Sequence, residues 1–236
     1  VVLLVNLLVV RAKEINSKPS GLKFVENKGQ WNEAVKYKSE FNRGAVFLEK
    51  TGFTFLINHK EDLKNRHSIL HEKESNLSKA IMRSHAYKVN FIGANVDALV
   101  NGESRCKEYN NYFIGNDQSK WASNVPLFKE IRYHQIYNGI DLLAHSNGDR
   151  FKYDFIVKVG VDPSVIALQY EGLNKMHIEN GHLVMKTSVG EIRELAPYSY
   201  QKIDDQLIEV PCEFKLKNNR VTFLFPNGWN QNYELI

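Results

Sequence analysis

Only two cysteines, Cys106 and Cys212, occur in the 236 residues. That excludes a disulfide-dense scaffold and leaves at most one bridge, which an exported chain would permit and nothing in the spacing demands. The six prolines are too few for a Pro-rich stalk. No apolar run approaches the roughly 18 residues that a membrane-spanning helix takes. Charge of one sign is missing as well: 31 basic residues face 27 acidic ones, a net +4. With the lysines scattered instead of forming a stripe, a nucleic-acid partner is not expected. A G-x-S-x-G elbow, a phosphate-cradling glycine loop, a Cys/His cluster and an EF-hand loop are all absent, so no motif supplies a catalytic nucleophile, a cofactor or a metal.

Apolar residues make up 43% of the chain and aromatics 11%, enough to build a core. The first ten residues are apolar except for Asn6 and give way to Arg11-Ala12-Lys13. Such a run fits the hydrophobic part of a secretory leader, with Val10 and Ala12 as the small residues before the cut. Residues 1–12 are therefore expected to be a signal-peptide remnant and 13–21, with Pro19, Ser20 and Gly21, a flexible lead-in.

From Leu22 onward, alternation of period two dominates. Val35, Tyr37 and Phe41, then Val46 and Leu48, then Phe53, Phe55 and Ile57 predict three successive strands with turns at Asn42-Arg-Gly44 and Lys50-Thr-Gly52. Five Asn-Gly pairs begin at Asn101, Asn138, Asn147, Asn180 and Asn227, and this dipeptide fills tight hairpins because both residues tolerate positive φ. Sequential antiparallel strands follow. The exception is 59–84, a polar insertion with Leu63, Leu70, Leu77 and Ile81 near helical spacing. Its His67 and His71 would stand one turn apart, but Ser68 occupies the place where the zincin pattern has Glu, so a surface helix is expected and not a metal site.

Beyond Gly160-Val-Asp-Pro163, short strands are expected at 166–170, 176–178, 183–187, 191–194, 198–202, 208–216 and 221–225. That spacing is what a sandwich or a barrel gives. The fold class is all-β, antiparallel and sandwich-like, with sub-domains 22–158 and 159–236 meeting near Gly160.

Four residues are candidates for a binding site. Trp121 follows a turn rich in Asn, Asp and Ser, where an indole at a rim can stack on a sugar. Asp117, Asp141 and Asp154 are the acids set inside strongly patterned segments. Asp117 can fold the Gly115-Asn116-Asp117 turn through its own backbone, and Asp141 and Asp154 can accept hydrogen bonds near sheet ends. The other tryptophans, Trp31 and Trp229, and Tyr109, Tyr112, Tyr133 and Tyr137 are expected mostly in the core.

Phe24-Val-Glu-Asn-Lys-Gly-Gln-Trp31, His85 to Asn95, Asn111-Tyr-Phe-Ile-Gly-Asn-Asp117 with Lys120-Trp121, Gly139-Ile-Asp-Leu142, Lys152-Tyr-Asp-Phe-Ile-Val157, Asp162-Pro-Ser164 and Pro197-Tyr-Ser-Tyr-Gln201 appear in this order. Together they resemble an N-terminal domain of unknown function found in large secreted cell-surface proteins of the Bacteroidetes. In that family the domain precedes SBBP-type repeats, PKD or Ig-like modules, and a sorting domain of the gliding-motility, type IX kind. One departure is Val159-Gly160-Val161, where relatives carry Pro-Gly-Ala. The resemblance implies a cell-surface location, with downstream domains of the same or a larger protein as partners, and supplies no catalytic residues. Two functions are thus expected to compete. One is a non-catalytic, adhesin-like module with a structural, glycan-binding or partner-binding role. The other is a polysaccharide hydrolase using Asp141 and Asp154, which would need the two acids about 5 to 10 Å apart in one groove.

Overall fold

The computed structural model describes residues 21–71 and 81–236, and for 66–71 the backbone alone. The leader-like residues 1–12, nearly all of the lead-in, and 72–80 of the polar insertion lie outside them. Seventeen strands account for most of the rest. The first five are β1 (Phe24–Glu26), β2 (Val35–Phe41), β3 (Gly44–Glu49), β4 (Gly52–Asn58) and β5 (Ser84–Phe91). A helix, α1 (Lys60–His71), stands between β4 and β5. A long hairpin follows, β6 (Leu99–Tyr112) and β7 (Ala122–Tyr137), and then β8 (Ile140–Asn147) and β9 (Arg150–Val157). The remainder are β10 (Ala167–Glu171), β11 (Lys175–Glu179), β12 (His182–Thr187), β13 (Gly190–Glu194), β14 (Ser199–Ile203), β15 (Gln206–Val210), β16 (Glu213–Lys217) and β17 (Arg220–Leu224).

Twelve strands share one antiparallel sheet in the order β16-β17-β10-β5-β4-β3-β2-β1-β7-β8-β9, with β6 also on β7. The strand that organises it is β7. Its Leu127 and Phe128 pair with β1, while Ile131 to Tyr137 pair with β8. The other edge of β7 carries β6. One edge of β7 thus hands over from one layer to the next, and the sheet forks. The β8–β9 limb folds back across the first layer, so that Phe53 of β4 meets the rings of Phe151 and Tyr153 at 5.4 and 5.7 Å, and Phe155 meets Phe223 of β17 at 6.1 Å. These edge-to-face aromatic contacts fill the sandwich.

Gly160, the expected boundary, is a turn at φ +73° and not a gap in the sheet. Beyond it, β10 lies between β5 and β17, and a single core takes Phe53, Tyr133 and Ile140 together with Leu168, Leu183 and Val221. A small sheet, β11-β12-β13, adds Met176, Leu183 and Met185 to that core. His85 clasps it: Nδ1 accepts the Ser188 N–H at 3.2 Å, so Nε2 carries the proton donated to the Gly172 carbonyl at 2.8 Å.

Asn138-Gly139, Asn147-Gly148 and Asn180-Gly181 join consecutive strands as expected. Asn101-Gly102 does not. β6 runs straight through it, and the glycine is needed for another reason: a Cβ there would fall 2.4 Å from Cγ of the Phe128 ring. Two further hairpins turn on Asp204-Asp205 and Asn218-Asn219, each with both residues at positive φ. The strand expected over 208–216 is two strands, divided at Pro211, which has no N–H to give a ladder. The expected helical insertion is α1 over its first half. It is pinned by Asp62, whose carboxylate accepts from Arg83 at 2.7 and 2.9 Å and from the Arg83 backbone N–H at 2.9 Å.

Candidate functional site on the outer face of the forked limb

Along β8 and β9 the pleat sends Ile140, Leu142 and Ala144 into the core and Asp141, Leu143 and His145 outward. Leu143 pairs with Asp154 and Asp141 with Ile156. Asp141 and Asp154 therefore share the outer face as diagonal neighbours, roughly 7 to 8 Å apart at their Cα atoms. Each already has a cation. Asp154 Oδ2 lies 2.7 Å from His145 Nε2, with Lys152 at 3.8 Å from Oδ1. Asp141 accepts the Gln135 N–H at 2.8 Å and faces Arg132 at 3.8 Å, while Arg132 Nε donates to Glu103 at 2.7 Å. Burial pushes the Asp154 carboxyl up, but the His145 hydrogen bond and the charges of His145 and Lys152 outweigh it and leave it below its ordinary value. A glycosidase acid needs the opposite shift.

His145 also lines a cavity of about 340 Å³ where the sheet forks. Lys129 and Glu130, the β7 residues between its β1 and β8 partners, form one wall, and Leu22 and Ser146 another. The Leu22 N–H donates to Ser146 Oγ at 2.9 Å. A Cβ on Gly21 would stand 2.4 Å from that oxygen, so glycine is what lets the chain enter β1 here. Past β9, Tyr198 and Tyr200 lie with ring centroids 5.8 Å apart at 35°. Tyr198 is 65% exposed. The Tyr200 hydroxyl is raised first by burial and next by the charge of Asp154.

The other sequence candidates are elsewhere. Asp117 caps the 3-10 turn Gln118–Lys120, accepting from Ser119 N–H at 3.1 Å and Oγ at 2.6 Å, with Lys120 at 3.2 Å. The Ser119 bond leads in holding its carboxyl below the ordinary range. Trp121 ends the same turn at the tip of the β6–β7 hairpin, 39% exposed, with Nε1 donating to the Gly115 carbonyl at 3.2 Å and Phe113 edge-on at 5.7 Å. Tyr133 and Tyr137 are core, Trp31 packs on Tyr112, Trp229 on Phe225, and Tyr109 is exposed. The bridge that two cysteines permit is not made: Cys106 and Cys212 are free thiols near opposite ends of the sheet order, and burial, ahead of Glu213, pushes Cys212 up to about 11. The side chains of His67 and His71 lie outside the described ones, and among the described residues no three His, Cys, Asp or Glu side chains gather as for a metal.

Sequence reasoning passed over two groups. His145 was within reach, because the Asn147-Gly148 hairpin fixes Asn147 opposite Arg150 and so puts His145 diagonal to Asp154. Glu194 gave no signal. Its carboxyl is enclosed and accepts from the hydroxyls of Tyr153 at 2.5 Å and Tyr170 at 2.8 Å, residues on β9 and β10.

A family model described as a domain of unknown function, DUF7948, matches residues 24–236. The chain belongs to that family. No curated protein and no solved structure matches it. Among the described residues of this DUF7948 domain, no helix is long and apolar enough to cross a membrane. The match begins at Phe24, the first residue of β1, and so takes in every strand of both layers, the fork and the outer face.

Proposed function

We propose that this DUF7948 domain is a non-catalytic recognition module of a secreted, cell-surface, adhesin-like protein, of the Bacteroidetes type that is sorted by type IX secretion. The leader-like residues 1–12 and the ordered motifs support the location. The observation that carries the binding role is the outer face of β9, where Asp154 is paired with His145, taken together with the Tyr198–Tyr200 ring pair at the start of β14. Aromatic faces beside fixed hydrogen-bonding groups suit the alternating apolar and hydroxyl surfaces of a glycan. A carboxylate already held by an imidazole orients a ligand better than it transfers a proton to one. Downstream domains of the same protein are the expected neighbours.

A glycan array probed with the chain from Lys13 onward, with and without calcium, tests this. Binding that survives Trp121→Ala and disappears in Tyr198→Ala and Asp154→Asn supports the outer face. Loss only in Trp121→Ala moves the site to the hairpin tip, and a blank array removes the glycan and leaves docking. The hydrolase is the second reading, favoured by Asp141 and Asp154 sharing one face. Release of reducing ends from polysaccharides, lost in both Asp141→Asn and Asp154→Asn, would establish it.

A further inference from the structure

The five Asn-Gly pairs share one chemistry, and the fold sets them apart. The backbone nitrogen of the glycine can attack the side-chain carbonyl carbon of the asparagine before it, because no Cβ on the glycine screens that nitrogen. Attack needs the glycine N–H free and the asparagine able to turn about its own ψ until the reacting atoms meet. Four pairs are held back from this. Asn101 and Gly102 lie inside β6, paired with Arg132 and Ile131, and the Phe128 ring lies against Gly102. After Asn227, the Gly228 N–H is donated to the Phe225 carbonyl at 3.0 Å. After Asn138, Gly139 is wedged: its carbonyl accepts the Lys158 N–H at 3.0 Å, and a Cβ on it would fall 2.5 Å from a Val161 methyl. After Asn180, a Cβ on Gly181 would stand 3.5 Å from that of Ala196, whose own N–H is fixed by His182 Nδ1 at 2.7 Å.

Asn147 differs in each respect. Residues 147–150 are all exposed, and Gly148, at φ +62°, has no atom within 4 Å of where a Cβ would be. Among the described residues the Gly148 N–H has no hydrogen-bond acceptor. Asn147 is the last residue of β8, held by the final pair with Arg150 at the tip of its hairpin, where local opening costs least.

We propose that Asn147 is a self-modification site, converted to aspartate and isoaspartate ahead of the other four asparagines. The Gly148 nitrogen bonds to Asn147 Cγ, the Cγ–Nδ2 bond breaks, and Nδ2 leaves as ammonia with the proton that Gly148 gives up. Water then opens the cyclic imide at either carbonyl, giving the aspartyl or the isoaspartyl chain. Water enters and ammonia leaves, so the step takes no enzyme, metal or oxidant. Its consequence falls on the fork. His145, Ser146 and Gly148 line the cavity there, so either product brings a carboxylate to its rim, and the isoaspartyl form adds a methylene to the backbone where β8 enters its turn. The chemistry is independent of what that cavity or the outer face binds.

The test incubates the full chain in mildly alkaline buffer, folded and in urea, and maps its peptides by mass spectrometry for the gain of about 1 Da that replacing NH2 by OH brings. In the folded chain Asn147 should convert at least about tenfold faster than Asn101 and Asn227, and ahead of Asn138 and Asn180. In urea the five should react within about threefold of one another, since each is followed by glycine and the fold no longer separates them. Folded Asn147→Gln should lose the earliest product. An Asn147 no faster than Asn101 and Asn227 overturns the site, as does an Asn147→Gln chain that gains mass at the native rate. The same order of reaction in urea overturns the fold as its cause.

Discussion

Replacing Glu194 removes a carboxyl that joins three strands of the core. In Glu194→Ala the hydroxyls of Tyr153 and Tyr170 lose their shared acceptor. A buried donor left unpaired costs about 1 to 3 kcal/mol, so the pair would cost roughly 2 to 6 kcal/mol, less whatever is regained by no longer burying the acid. Glu194→Gln keeps an oxygen for one hydroxyl and offers an N–H to the other, and should cost under about 1 kcal/mol near neutral pH. The two variants also separate in pH. Burial raises the Glu194 carboxyl above its ordinary 4.5, and the two tyrosine bonds only partly offset this. A raised folded value means that the folded state holds the proton more tightly. The stabilisation is then complete below pH 4.5 and is lost as pH rises through the folded value. Urea midpoints from pH 4 to 8 should therefore show Glu194→Gln gaining on the native chain with rising pH, while acids common to both cancel in the difference. A difference that is flat with pH, or an alanine variant costing under about 1 kcal/mol, would refute the reasoning.

His145→Ala should let burial raise the Asp154 carboxyl, since only the charge of Lys152 would remain against it; because a depressed carboxyl loses its contribution as pH falls through the folded value, the variant should lose less stability than the native chain between neutral pH and acid. The change is under about 1 kcal/mol, since the pair is partly solvated, and urea midpoints against pH read it. Gly102→Ala should destabilise by about 1 to 3 kcal/mol, since its Cβ would press on the Phe128 ring, and a normal melting temperature would count against that packing. Cys106 and Cys212 should both react with a thiol reagent after unfolding without reductant, Cys212 more slowly in the native state because burial keeps it protonated. An intact mass two hydrogens short would show instead that they pair.

What the sequence determined by itself is local. Alternation of period two set the strands and their inner faces, and Asn-Gly set the hairpins β7–β8, β8–β9 and β11–β12; Asp117, expected to fold the Gly115-Asn116-Asp117 turn, caps the next turn instead. Each depends on residues a few positions apart, where steric limits on φ and short hydrogen bonds decide. Even there a distant ring intervened: Phe128 turned Asn101-Gly102 from a hairpin into the middle of a strand.

What only the tertiary structure decided is every pairing made across a long stretch of chain. The seat of β1 on β7, the insertion of β10 between β5 and β17, the Glu194 bonds to Tyr153 and Tyr170, and the seat of Leu235 between β9 and β14 join residues 24 to 104 positions apart. Any period-two strand can pair with any other by backbone alone. The choice among them is made by which inner faces fill one core together, and that is a property of all the strands at once.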